Sequence, residues 1–187
     1  MIDLLWLNIM ENKIIKEILN NNVVAFPTNT VFGLVAKVEK NNIYKINLLK
    51  KRKKDQPLQI LVNDFKQIKN DILLNDFTIK FFKENLNKKT SYIVRPTKEF
   101  YNKNLLPSFE NSVMFRIVDG PISKLIKKTG PLFASSANIH GETILNDNND
   151  IKNTFKIPTS KIKQKKGNPS KIISLLNDEV KIIREIK

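Results

Sequence analysis

The chain has 187 residues, enough to bury a substantial core without covalent staples. It has no cysteine, which excludes disulfides, zinc–thiolate centres and thiol nucleophiles, and a single histidine, which excludes multi-histidine metal centres and argues against a histidine-based triad. Lysine and arginine number 33 against 18 acidic residues, a formal net charge of +15 that calls for an anionic partner: nucleic acid, nucleotide or polyphosphate.

The first ten residues, from Met1 to Met10, lack a basic n-region and carry an early Asp3. No stretch approaches the roughly 20 apolar residues of a membrane span, so the protein is expected to be cytoplasmic, with no membrane partner. Residues 11–20 predict a helix with Ile14, Ile15, Ile18 and Leu19 on one face. Residues 23–26 form an apolar run stopped by Pro27, which predicts a buried strand. A helix over 41–51 turns Ile43, Tyr44, Ile46, Leu48 and Leu49 inward, and 58–62 predict a second buried strand. Residues 76–86 predict a helix around Phe77, Phe81, Phe82 and Leu86, and 92–94 and 113–118 further strands. Pro121 opens a helix over 121–128, followed by a strand at 132–134. The tail holds two strands, 172–176 and 180–183, joined at Asn177-Asp178. This alternation predicts an α/β chain, one mixed sheet covered by helices, folded as one domain over 1–187.

Only four of the 33 basic residues are arginines: Arg52, Arg95, Arg116 and Arg184. With abundant Asn and Ile, the lysine excess reads as the bias of an AT-rich genome. The arginines are then the informative cations, because lysine cannot reproduce a bidentate guanidinium fork.

Four segments could carry chemistry. Thr28, Asn29, Thr30 and Gly33 follow a buried strand and supply hydroxyls and an amide to a small polar ligand; otherwise they form a plain strand-to-helix connection. Residues 50–54, Lys-Lys-Arg-Lys-Lys, lead directly into an apolar strand, as a phosphate site or as a solvated basic edge. Ser135, Ser136 and Asn138 end another strand, where they either bond phosphate or ribose oxygens or make a polar turn. Arg116 sits among the apolar residues 113–118 and needs either a solvent face or an anionic partner.

In order and spacing these segments resemble the YrdC-like threonylcarbamoyl-AMP synthases. The resemblance rests on Pro27-Thr28-Asn29-Thr30-Val31-Phe32-Gly33-Leu34, Lys50-x-Arg52, Pro57-Leu58 and Ser136-x-Asn138. It extends to a strand carrying Arg116 and to Asn168-Pro169-Ser170. It implies a twisted mixed sheet ringed by helices, with a concave basic face, in the short single-domain form. It also implies joining of L-threonine, bicarbonate and ATP into threonylcarbamoyl-AMP with release of pyrophosphate. Mg²⁺ would accompany ATP. A separate transferase complex would pass the group to adenosine 37 of tRNA.

Carried over by position, Lys50 and Arg52 would act catalytically on ATP phosphates, and Ser91, Ser136, Asn138, Ser170 and Arg184 would also contact ATP. Thr28, Thr30, Phe32 and Arg116 would hold threonine, Arg116 through its carboxylate. The chain departs from the family pattern at residues 87–91, Asn-Lys-Lys-Thr-Ser, where Pro-Gly-Pro-x-Thr is usual and Ser91 stands for the threonine. It departs also at Asn29 and Phe32, where an acidic residue and a tyrosine are common, and after Arg52, where a proline is usual. Two rival readings are a non-catalytic tRNA or double-stranded-RNA binder and a paralogue with another substrate.

Overall fold

The structure is a computed structural model that describes residues 12–103, 105, 111–163 and 167–185; the stretch from Met1 to Met10 lies outside them. The apolar run after the first helix (α1, residues 12–19) forms strand β1, Val24–Pro27. The chain then reverses over residues 28–31 and returns as β2, Phe32–Lys37, paired antiparallel from Val24↔Val35 to Pro27↔Phe32. Asn29 makes the reversal possible by taking φ 59°, the left-handed region that Asn tolerates better than most residues. A strand-to-helix connection was the expected alternative here. The hairpin escaped the sequence reading because β2 is buried on both faces and shows no polar alternation.

Helix α2 (Lys40–Leu49) leads to β3 (Gln59–Val62), and α3 (Asp76–Asn85) to β4 (Thr90–Val94). The short helix α4 (Lys98–Asn102) precedes β5 (Val113–Ile117), and α5 (Gly120–Thr129) precedes β6 (Leu132–Ser136). Helix α6 (Asn148–Phe155) and strands β7 (Lys171–Ser174) and β8 (Lys181–Arg184) complete the order. Neither α4 nor α6 was anticipated. In α6 only Ile151 and Phe155, four apart, turn inward, and the rest is too polar to register as periodic. The tail hairpin matches expectation, with Asn177 and Asp178 both left-handed at φ 61° and 58°.

The eight strands form one mixed sheet in the order β1-β2-β6-β3-β5-β4-β7-β8. The β3–β5 and β4–β7 pairs are parallel and the others antiparallel. Strand alternation sorts the core into two layers. Phe32, Leu34, Ile60, Val62, Phe115 and Phe133 face one way, against Ile43 and Ile46 of α2, Phe82 of α3, Phe100 of α4 and Ile151 of α6. Val35, Leu61, Leu132 and Ala134 face the other way, against Ile14 and Ile18 of α1 and Ile122, Leu125 and Ile126 of α5. Within α2 the inward face includes Asn42 and Asn47, both fully buried, whereas Leu48, expected inside, is 79% exposed.

Helices α1 and α5 cover only part of the second face, and the uncovered floor is where the site lies. The outer edge of β1 is covered by the chain itself: Ala25 N–H donates to the Pro158 carbonyl and Ser160 N–H to the Ala25 carbonyl, both at 2.9 Å. The opposite edge, β8, exposes all four of its residues.

Gly33 lets the 28–31 reversal lie close against β2. A Cβ added there would meet Thr28 Cγ2 at 2.7 Å and the Ser135 carbonyl at 3.3 Å. Gly33→Ala is expected to destabilise the protein by about 1–3 kcal/mol, the usual range for overpacking. Urea unfolding checks this, and a loss under about 0.5 kcal/mol would mean that the turn moves aside freely.

Candidate active site

A cavity of about 220 Å³ opens on the partly covered face. Its floor follows the sheet register: Gly33 beside Ser136, Ala134 beside Gln59, and Gln59 beside Met114. Thr28 and Thr30 wall one side, Arg52 with Pro57 and Leu58 another, and Pro169, Ser170, Ile172 and Arg184 the far side. Among the described residues no aspartate or glutamate lines it. An anion is thus the ligand for which the lining has donors and no opposing charge.

The threonine turn is held from behind. Arg116, 1% exposed in the middle of β5, donates from Nη1 to Thr30 Oγ1 at 2.6 Å and from Nη2 to the Thr28 carbonyl at 2.9 Å. Its Nε has no partner, and no described carboxylate bridges to it. Burial pushes its pKa down to about 10, with Arg184 adding to the depression and Asp119 opposing it. The resemblance implied direct capture of a carboxylate by Arg116. In the structure two of its nitrogens are spent on the turn and it does not line the cavity, so what it offers the site is position and field. Thr28 Oγ1 donates to the Val31 carbonyl at 2.7 Å, tightening the same turn. Asn29 Nδ2 reaches Asp119 Oδ1 at 2.8 Å, so a carboxylate across the gap answers the amide at position 29.

The second clasp belongs to Lys50. Its ammonium donates to the Ser136 carbonyl, to the Asn138 carbonyl at 2.7 Å and to Asn138 Oδ1 at 3.0 Å. All three protons are used inside the protein, and Lys50 is 2% exposed. Asn138 is equally committed: Oδ1 also accepts from Ser136 Oγ at 2.6 Å, and Nδ2 donates to the Ile139 and Glu142 carbonyls. Lys50 and Asn138, expected at ATP, therefore shape the turn after β6, and only Ser136 of this trio lines the cavity. Burial and the neighbouring Arg52 push the Lys50 pKa down to about 8.

Arg52 does line the cavity. Its Nε donates to Asn47 Oδ1 at 2.6 Å, while Nη2 is buried without a partner. Burial pushes its pKa down to about 10. Asn47 Nδ2 in turn donates to the Lys54 and Gln56 carbonyls, both at 2.9 Å, so one carboxamide holds the basic loop and aims the guanidinium. The sequence reading missed Asn47. Its signal was a polar residue at the i+4 position from Ile43 on an apolar face. Phe32 also departs from expectation: strand alternation turns it into the core at 0% exposure, and the cavity is lined by Val31 and Gly33 on either side of it.

On the far wall, Arg184 donates through Nε and Nη2 to the Ser170 carbonyl at 2.9 and 2.7 Å. Ser91 is fully buried beneath the wall, 2.9 Å from Ser170 Oγ, and donates to Gln59 Oε1 at 2.8 Å. Of the residues expected at the site, the structure thus gathers Thr28, Thr30, Arg52, Ser136, Ser170 and Arg184 around one cavity.

Replacing Lys50 by Met removes a charged donor from three oxygens and leaves the Asn138 carbonyl without its ammonium partner, and the expected loss of stability is roughly 2–3 kcal/mol, larger than for Lys53→Met or Lys54→Met. Because the folded-state pKa lies below the unfolded value of 10.5, the unfolded chain binds more protons between pH 8 and 10.5. The stability margin of the wild type over Lys50→Met should therefore widen as pH rises through that window. Urea titrations at pH 7, 8.5 and 10 check both statements, and a margin that narrows would refute the assigned direction.

Among the described residues no helix is long and apolar enough to cross a membrane. A Methanocaldococcus jannaschii protein provisionally named threonylcarbamoyl-AMP synthase is 29% identical over 179 positions, covering 91% of this chain and 82% of the relative. The crystal structure of E. coli YciO superposes with a TM-score of 0.80 at 20% identity, covering 94% of this chain and 88% of that one. P. abyssi Sua5 complexed with L-threonine gives 0.79 at 21% identity, covering 95% of this chain and 54% of that one. Residues 16–185 match the family profile described as "Telomere recombination": the chain belongs to the Sua5/YciO/YrdC family.

Proposed function

We propose that the protein is an L-threonylcarbamoyladenylate synthase, a nucleotidyltransferase that consumes L-threonine, bicarbonate and ATP. The observation that carries the reading is one cavity in which Arg52 and Arg184 face a hydroxyl-bearing turn braced by Arg116, with no carboxylate among the described residues of its lining. The family relative bearing the synthase name, and the L-threonine held by Sua5, support the same reading.

The reaction joins anions. The threonine amine adds to bicarbonate with loss of water to give a carbamate. A carbamate oxygen then attacks the α-phosphorus of ATP, and the bond to the β-phosphate oxygen breaks to release pyrophosphate. No protein nucleophile is required, in keeping with a chain without cysteine. Catalysis rests on positioning and charge neutralisation. The Arg52 guanidinium serves a phosphate oxygen, Ser136, Ser170 and Arg184 serve the nucleotide, and the Thr28–Thr30 turn receives threonine with the Arg116 charge behind it. Mg²⁺ would accompany the phosphates of ATP, where it would neutralise charge, since no carboxylate among the described lining residues is placed to hold it. The threonylcarbamoyl group goes on, through a separate transferase, to adenosine 37 of tRNA.

Pyrophosphate release should require threonine and bicarbonate together; ATP turnover at the same rate without threonine would refute the assignment. Arg52→Lys should weaken ATP use by about 10- to 150-fold, the value of a charge-assisted hydrogen bond of roughly 1.5–3 kcal/mol. Lys54→Ala, at an exposed position, should change it little. Equal losses at the two positions in steady-state assays would make the run a bulk-charge edge instead.

A further inference from the structure

Gln59 is the one polar residue in a strand that otherwise reads Ile60, Leu61 and Val62, and its side chain lies on the cavity floor between Ala134 and Met114. We infer that Gln59 is a ligand-binding residue whose amide nitrogen donates to a phosphate oxygen of the bound nucleotide, its orientation set from the far wall by Arg184. This rests on the nucleotide reading above.

The orientation follows from a one-way chain of donors. A guanidinium can donate and cannot accept. Arg184 Nη2 lies 3.3 Å from Ser170 Oγ, so that hydroxyl accepts from it. The Ser170 proton is then free to go on to Ser91 Oγ, 2.9 Å away and fully buried. Ser91 passes its own proton to Gln59 Oε1 at 2.8 Å. Each link polarises the next in the same sense. The amide oxygen is thereby occupied on the inner side, and Nε2, with no partner among the described residues, is the end left for the cavity. The opposite orientation would set the Gln59 N–H2 against a hydroxyl that already has a donor directed at it. The cavity then gains a neutral donor between two cationic ones, Arg52 and Arg184, in a lining without carboxylates among the described residues. Three donors around one space favour a polyphosphate over a single carboxylate or a sugar.

The test is calorimetric titration of wild type, Gln59→Met and Gln59→Glu with α,β-methylene-ATP and with inorganic pyrophosphate. Gln59→Met keeps the length of the side chain and removes the donor; affinity for both probes should fall about 10- to 150-fold. Gln59→Glu keeps the acceptor for Ser91 and turns a negative oxygen to the cavity; it should bind more weakly still. Thermal melting of both variants establishes that they fold, and should one fail the other carries the comparison with wild type. Ser91→Ala releases the orientation and should lose less, with no loss added when it is combined with Gln59→Met.

Gln59→Met binding like wild type, or Gln59→Glu binding more tightly than Gln59→Met, would overturn the inference. A full additional loss from Ser91→Ala in the double variant would overturn the orienting chain. If the wild type binds both probes and releases pyrophosphate while Gln59→Met binds equally well, this inference falls and the synthase reading stands. If the wild type binds neither probe, both fall.

Discussion

Cations held inside the protein without carboxylate partners among the described residues are the constraint on which the rest of the structure depends. Removing a guanidinium or ammonium from water carries a large desolvation penalty unless its protons find acceptors. Arg116, Lys50 and Arg52 find theirs in backbone carbonyls, a hydroxyl and side-chain amides. Such partners satisfy hydrogen bonds and leave the charge uncancelled. The depressed pKa values of all three groups are the signature of that arrangement. A positive potential therefore remains for whatever enters the cavity.

Carboxamides are the struts of this design. Asn47 aims Arg52 and ties the loop behind it, Asn138 receives Lys50 and ties the turn after β6, and Asn29 bridges to Asp119 across the mouth of the hairpin. Each amide offers an acceptor at one end and donors at the other, so a single side chain can hold a cation and a carbonyl together. A carboxylate at the same places would hold the cation more strongly and weaken the field available to an anionic substrate. The abundance of Asn in this chain, which at first reads only as compositional bias, supplies the structure with these struts.

How much of this was legible in the sequence differs from element to element. The strands at 58–62, 113–118 and 132–134 and the helix at 121–128 were legible because apolar runs and Pro121 report local structure directly. The β1–β2 hairpin was not, because a strand buried on both faces has no period to read. Arg116 was legible as a residue that needed a partner, but not as one whose partners are Thr30 and the Thr28 carbonyl, 86 and 88 positions away. The motifs Lys50-x-Arg52 and Ser136-x-Asn138 were each legible on their own. That Lys50 and Asn138 bond to each other, with Arg52 and Ser136 lining the cavity, was not legible, because 88 positions separate the two. Phe32 was misassigned for a simpler reason: neighbours in a strand face opposite ways.

The two ends of the sheet are finished differently. At β1 the chain doubles back over its own edge through Pro158 and Ser160. At β8 nothing among the described residues does so, and none of the strand's four side chains is buried. The strand nevertheless carries Arg184, half of the far wall. Opening a strand requires breaking its ladder and exposing whatever apolar surface it buries, and β8 buries little. The two walls of the cavity therefore differ in compliance: the Thr28–Thr30 side is welded to the core through Arg116, while the Ser170–Arg184 side hangs on one neighbouring strand. Local opening of the ladder should therefore cost less at β8 than at β1, where Arg116 and the 158–160 segment hold the strand pair.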